Sequence, residues 1–270
     1  MALSIQTNIE SFQAHRYLQM NSDALAGSME KLSSGYRINR AADDAAGLAI
    51  SEKLTAQIGG LQQAQRNAQD AVSLVQTAEG SLGEVQSMLQ RVRDLAVQFQ
   101  NGTLGTSEKA VITAEVAQLC AEIARIASTT KFNGISLLTG GATITFQVGA
   151  DDGQTITAQA ADLFGSGKAV DPAIFSFTGT TILASIDQAL NNVSDMRAGF
   201  GAIQNRLTHT LNNVSSYEEN LTASESRIKD VDMASEMANF TRLQILQQAG
   251  TAMLAQANTQ PQTVLQLLKG

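Results

Sequence analysis

A chain of 270 residues with only 4% aromatics, no Trp and two Pro, and crowded with Ala, Gln, Leu and Ser, favours long helices over a compact mixed fold. Its net charge of -7 repels a phosphate backbone and no Lys/Arg cluster overrules that at one face, so nucleic acid is not an expected partner. The single Cys120 excludes an intrachain disulfide framework, and no apolar run approaches the ~20 residues of a membrane span, which excludes membrane insertion as an expectation.

In chain order, residues 1–33 carry Ile5, Ile9 and Phe12, then Leu18, Leu25 and Leu32 seven apart, the mark of an amphipathic helix. The opening MALSIQTNIESFQAHR lacks the basic start and apolar core of a secretory signal peptide, so general signals alone point to the cytoplasm. Next comes GYRINRAADDAAGLAIS, where Arg37 and Arg40 precede Asp43 and Asp44. Two adjacent carboxylates raise the question of a catalytic or metal-binding pair. Neighbours on a helix point ~100° apart and do not converge on one atom, so ion pairing with the arginines, or capping of the helix through AAGLAIS, is the simpler reading.

A heptad stripe then runs through Leu54, Leu61, Ala68, Val75, Leu82, Leu89 and Ala96. Ile50, Ala64, Ala71, Ala78, Val85, Val92 and Phe99 fill the alternate positions, with Gln57 as the polar exception. Asn101-Gly102 and Gly105 stop this helix, and Thr106 or Ser107 is expected to cap another, buried through Ile112, Val116, Leu119, Ile123 and Ile126. Cys120 falls on that face as a small hydrophobe. In ATITFQVGADDGQTITAQ the period becomes two, predicting a β-hairpin at about 141–158, followed by an irregular connection at about 160–180.

The clearest seam follows. Val193, Phe200, Leu207, Val214, Leu221 and Ile228 recur every seven residues, implying a helix of ~50 residues or ~75 Å that needs a partner of similar length. Residues 237–268 carry Met237, Leu246, Met253, Ala257, Val264 and Leu268 on a last amphipathic helix, which Pro261 should end or kink near Gln260. Neither terminal helix adjoins enough chain for a core, so each must pack on the other or on neighbouring molecules. The only histidines, His15 and His209, have no Cys or acidic ligand at metal spacing, and no convergent polar constellation suggests a cofactor or an enzyme.

LSSGYRINRAADDAAGLAIS, then QRNAQDAVSLVQTAEGSLGEVQSMLQRVRDLAVQ and KFNGISLLTG, and at the other end GAIQNRL, SRIKDVDMASEMANF and QILQQAGTAMLAQAN, together resemble bacterial flagellin, the subunit of the flagellar filament. The match covers most of residues 1–140 and 190–270, and its motifs fit a filament subunit better than the related hook-filament junction proteins. The resemblance implies a mainly α fold, long antiparallel coiled-coil-like helices from both halves with a small hairpin. Residues 1–43 with 233–270 would form an inner coiled-coil domain, disordered in the monomer and ordered in the filament, and 44–232 an outer helical domain. Only about 50 residues separate SLLTG from the C-terminal heptads, the size of a short form without large variable outer domains.

The same resemblance implies polymerisation through Leu18, Leu25, Leu32, Leu246, Met253 and Leu268, a junction at Arg37, Arg40, Asp43 and Asp44, and a seam at Phe200, Leu207, Val214, Leu221 and Ile228. Export unfolded through the flagellar type III apparatus, with an export chaperone, would make the protein extracellular without a cleaved signal peptide. Filament cap and hook-filament junction proteins are the other implied partners. The flagellin-sensing Toll-like receptor of animals recognises the family at positions matched by Arg91, Leu95 and Glu115, although Asp94 stands where the family commonly has Glu. A carbohydrate-binding or adhesive homologue would need an aromatic-lined groove, which the shortage of aromatics opposes.

Overall fold

A computed structural model describes the backbone of residues 8–164, 168 and 182–269, with side chains to residue 259. Most of the expected irregular connection at 160–180, and the side chain of Leu268, lie outside the described residues. Among the described residues five helices and two short hairpins follow one another: α1 Ile9–Ser34, α2 Ala45–Phe99, α3 Thr106–Thr129, β1 Lys131–Phe132, β2 Ile135–Ser136, β3 Thr143–Gln147, β4 Thr155–Gln159, α4 Ile182–Lys229 and α5 Met233–Lys269. The fold is mainly α, as the composition implied.

The chain divides into two compact units, residues 57–219 and residues 1–56 with 220–270, so both boundaries fall inside the long helices α2 and α4. In the 57–219 unit the heptads find their partners. Leu61, Ala64, Ala68, Ala71, Val75, Ala78, Leu82, Val85, Leu89, Val92 and Ala96 are buried along one face of α2, and α4 buries Val193, Phe200, Leu207 and Val214. Each such Leu or Val contributes roughly 1.5–3 kcal/mol when fully removed from water. Polar pairs beside the seam show that α2 and α4 run antiparallel: Gln62 Nε2 donates to Glu218 (2.9 Å), Arg197 Nη2 to Glu79 (2.7 Å) and Arg93 Nε to Asp187 (2.6 Å). The third helix adds Ile112, Val116, Cys120, Ile123 and Ala127 to the same core, and burial pushes the Cys120 thiol up to about 12.

Two local expectations are corrected. α3 is capped by Gly105, in extended backbone with no side-chain cap bond, and Thr106 is its first residue. The last helix does not stop near Gln260 but continues past Pro261 to Lys269.

The hairpin β3–β4 pairs antiparallel with Ile144 opposite Ala158 and Phe146 opposite Ile156. Inward Ile156 and Ala158 alternate with exposed Thr, the period-two pattern of a half-buried strand. It docks on α2 where Asn67 Nδ2 donates to the Gln147 carbonyl (3.1 Å), and a Cβ at Gly60 would stand 3.0 Å from that of Ala150, so glycine permits this approach. A second hairpin, β1–β2, turns at Asn133 (φ 47°) and Gly134 (φ 82°). That Asn-Gly dipeptide between Phe132 and Ile135 is a strong hairpin signal, and the periodicity reading passed over it.

Candidate assembly surface

The unit formed by residues 1–56 and 220–270 is built from the two chain ends. Ser28 Oγ donates to Glu236, Asn21 Nδ2 to the Leu243 carbonyl (2.8 Å) and Asn8 Nδ2 to the Ala257 carbonyl (2.8 Å), so α1 and α5 lie antiparallel in one register. The α5 partners, Glu236, Leu243 and Ala257, are spaced by seven or fourteen residues. Between them stands Gly250, whose added Cβ would meet Leu18 Cδ1 at 3.2 Å, so the Leu18 side chain packs against that glycine. Leu18, Leu25 and Leu32 are half-buried in α1.

On the last helix, by contrast, the apolar stripe and the intrachain seam differ. Leu246 is 51% and Met253 65% exposed, and Met237 is exposed as well. On α5 Phe240, Leu243, Gly250, Leu254 and Ala257 are half-buried, while Met237, Ile245, Leu246 and Met253 stand exposed, as do Ile9, Phe12, Met20 and Met29 of α1. Beside the seam, Tyr17, Leu18, Met20, Leu246 and Met253 help to line a groove of about 710 Å³.

The junction segment closes the other end of the helix pair. Gly35 (φ 76°) takes the left-handed conformation that ends α1, its N–H bonded to the Lys31 carbonyl (2.9 Å). Its own carbonyl accepts from Val231 N (3.0 Å), and Arg37 N donates to Lys229 O (2.7 Å), so the passage from α1 to α2 pairs with the passage from α4 to α5. Arg37 Nη2 adds a bond to the Ile228 carbonyl (2.5 Å), and the Lys229 ammonium sits 4.6 Å from the Tyr36 ring centre. Asp232 then caps α5 through the Ala234 N–H (3.0 Å).

Neither carboxylate of the Asp43-Asp44 pair looks toward a shared site. Asp44 Oδ1 accepts from Gly47 N (2.9 Å), making it the N-cap of α2; a Cβ on Gly47 would crowd that carboxylate and buried Ile38 at 2.4 and 2.7 Å. Asp43 Oδ2 accepts from the N–H groups of Asn39 (3.1 Å) and Arg40 (3.0 Å), which hold its carboxyl below the ordinary aspartate value. The Arg40 guanidinium forms its ion pair with neither aspartate. It reaches back to Glu30 on α1 (2.8 Å), a partner ten residues upstream.

Of the positions matched to receptor recognition, Arg91 and Glu115 come together as an exposed ion pair at 2.8 Å across α2 and α3. Leu95, one turn on, is 2% exposed and belongs to the core. Among the described residues no group of three His, Cys, Asp or Glu converges, and no helix is long and apolar enough to cross a membrane.

Long paired helices, chain ends zipped to each other, and large apolar side chains left on the outside of that zipper define a helical protein of the structural class. The chain belongs to the bacterial flagellin family: residues 5–143 match the model of the flagellin N-terminal helical region and residues 183–268 that of the C-terminal helical region. It is 50% identical to a flagellin of Halalkalibacterium halodurans, over 98% of this chain and 99% of the relative. A flagellin of Bacillus subtilis is 46% identical over 99% of this chain and 100% of its own length, and a 30.7 kDa flagellar filament core protein of Treponema maltophilum is 44% identical over 98% and 99%. Among solved structures, a Bacillus cereus flagellin is 38% identical with a TM-score of 0.48, covering 59% of this chain and 94% of that one.

Proposed function

We propose that this chain is the repeating subunit of a helical flagellar filament, the extracellular propeller for swimming, and that its role is mechanical. The observation that carries the reading is the outward apolar face of the terminal helix pair, with Ile9, Phe12, Leu246 and Met253 each more than half exposed. Apolar surface of this kind on a helix pair is costly in water and is covered by association. A second copy of the same chain is the occupant, because a heterologous contact that does not close repeats into a helix instead of a counted oligomer. In this reading residues 1–43 and 233–270 line the inside of the polymer and order there, while 44–232 form its outer layer. Arg37, Arg40, Asp43 and Asp44 hold the crossing between the two.

Seeded polymerisation followed by electron microscopy tests this. The parent chain is expected to extend seeds, whereas Leu246→Asp with Met253→Asp should keep the helical content of residues 57–219 and abolish elongation. Filaments of normal length from the double variant would sink the idea.

Family membership also supports the remaining partners: export through the flagellar type III apparatus with a chaperone, and growth under a filament cap above hook-filament junction proteins. We further propose that the animal flagellin-sensing Toll-like receptor engages the free chain at the exposed Arg91–Glu115 pair. Leu95 supports that surface from within.

A further inference from the structure

We propose that Asn8 is the register lock of the terminal helix pair, supplying the hydrogen-bond donor that Pro261 lacks. In an α-helix each carbonyl accepts from the N–H four residues on, and proline has no N–H to give. Pro261 therefore leaves the Ala257 carbonyl of α5 without its intrahelical partner, although the helix runs on to Lys269. The side-chain amide of Asn8 fills that vacancy: Nδ2 donates to Ala257 O at 2.8 Å. Meanwhile its Oδ1 accepts from Ser11 N at 3.0 Å and caps α1. One amide thus satisfies an orphan donor of the first helix and an orphan acceptor of the last.

The amide does both from two separate atoms, whereas a serine hydroxyl would have to donate and accept through one oxygen on a shorter side chain. A serine or aspartate at this position caps well, but aspartate has no donor for the carbonyl. Asn21 provides a contrast, because its acceptor, Leu243 O, also has the N–H of Gln247 four residues on. That bond supplements the helix and replaces nothing. Since the proline makes a single carbonyl on α5 different from its neighbours, and Asn8 sits at the start of α1, sliding the pair by one heptad would leave both groups unmatched. Neighbouring Ser11 Oγ and Asn258 Oδ1, 2.8 Å apart, report the same register. The proposal deepens the assembly reading and rests on it for its biological role: the seam that must form as subunits order is told where to stop.

The test uses the full chain with Ser11→Cys and Asn258→Cys, whose oxidative cross-link reads the register in the free chain and in seeded filaments. Cys120 does not compete, being buried with its thiol pushed up to about 12. Asn8→Asp keeps the cap and removes the donor, and is expected to lower the initial cross-linking rate roughly three- to tenfold, the range of one lost hydrogen bond. Adding Pro261→Ala, which returns an N–H to Ala257 O, should recover most of that rate. The smaller loss expected from Asn21→Ala should be indifferent to Pro261→Ala. An Asn8→Asp rate equal to the parent's, or a loss that Pro261→Ala leaves untouched, overturns the lock. Polymerisation of the same chains keeps the two ideas apart: a parent that never extends seeds removes the assembly reading, while the cross-link pattern still decides the lock.

Discussion

At the scale of single residues, the junction shows how a motif that resembles a chemical site is spent on backbone geometry. Asp44 holds the first turn of α2 through Gly47 N, and Asp43 holds the turn before it through two backbone N–H groups. Replacing Asp44 by Ala is expected to cost about 1 kcal/mol in a denaturant titration, the usual worth of an N-cap. Asp43 carries a pH dependence whose sign follows from its lowered value. A carboxyl that is more acidic folded than unfolded stabilises the fold above its ordinary range, and that contribution is lost as pH falls from the ordinary aspartate value through the lower folded one. Amide exchange at Asn39 and Arg40, corrected for its intrinsic acid dependence, should therefore accelerate on acidification. Asp43→Asn, which keeps the acceptor oxygen and has no proton to gain, should flatten that response; an unchanged profile would refute the assignment. The capping role was legible from an aspartate just ahead of a run of small residues. Arg40's partner was not, because Glu30 lies on the preceding helix, where spacing along the chain says nothing about approach.

For whole elements, periodicity located α2, α3 and α4 and named most of their buried residues, since a seam buried along its length leaves a strict record in sequence. Burial fades along α4: Leu207 is fully buried, while Leu221 and Ile228 are half-buried. Leu207→Ala should accordingly lower stability by about 2–5 kcal/mol, and Leu221→Ala by clearly less, in thermal or urea unfolding followed by helical circular dichroism. Equal losses would mean that the seam closes further along than the burial shows. On α5 the same rule misdirects. Apolar period marks a face without saying whose surface covers it, so of the expected Met237, Leu246, Met253 and Ala257 the intrachain seam uses Ala257, beside Glu236, Leu243 and Gly250, while the three larger side chains stand exposed. Pro261 misled for a related reason. Its cost to the helix is local, and the donor that offsets it comes from the other end of the chain.

For the molecule as a whole, the chain offers two kinds of surface: an apolar one on the terminal pair and a charged one at Arg91 and Glu115. Reporter cells bearing the flagellin-sensing receptor should respond to free chain, and Arg91→Ala should weaken the response by about tenfold, as loss of a central arginine contact does. A silent parent chain would end that proposal. Family and fold class were readable from motifs and heptads at both ends, whereas the pairing of those ends was readable only as a need. The pairing has a consequence in time. Asn8 and Ala257 are 249 residues apart, and Ser28, Asn21 and Ser11 of α1 bond to Glu236, Leu243 and Asn258. During synthesis from the amino terminus, α1 is therefore made first and must wait for nearly the whole chain before its partner exists. Closing so long a loop also carries a larger entropic toll than any neighbouring contact. Sequence distance itself thus acts as a delay, leaving the amino-terminal helix without its partner until the last helix is made.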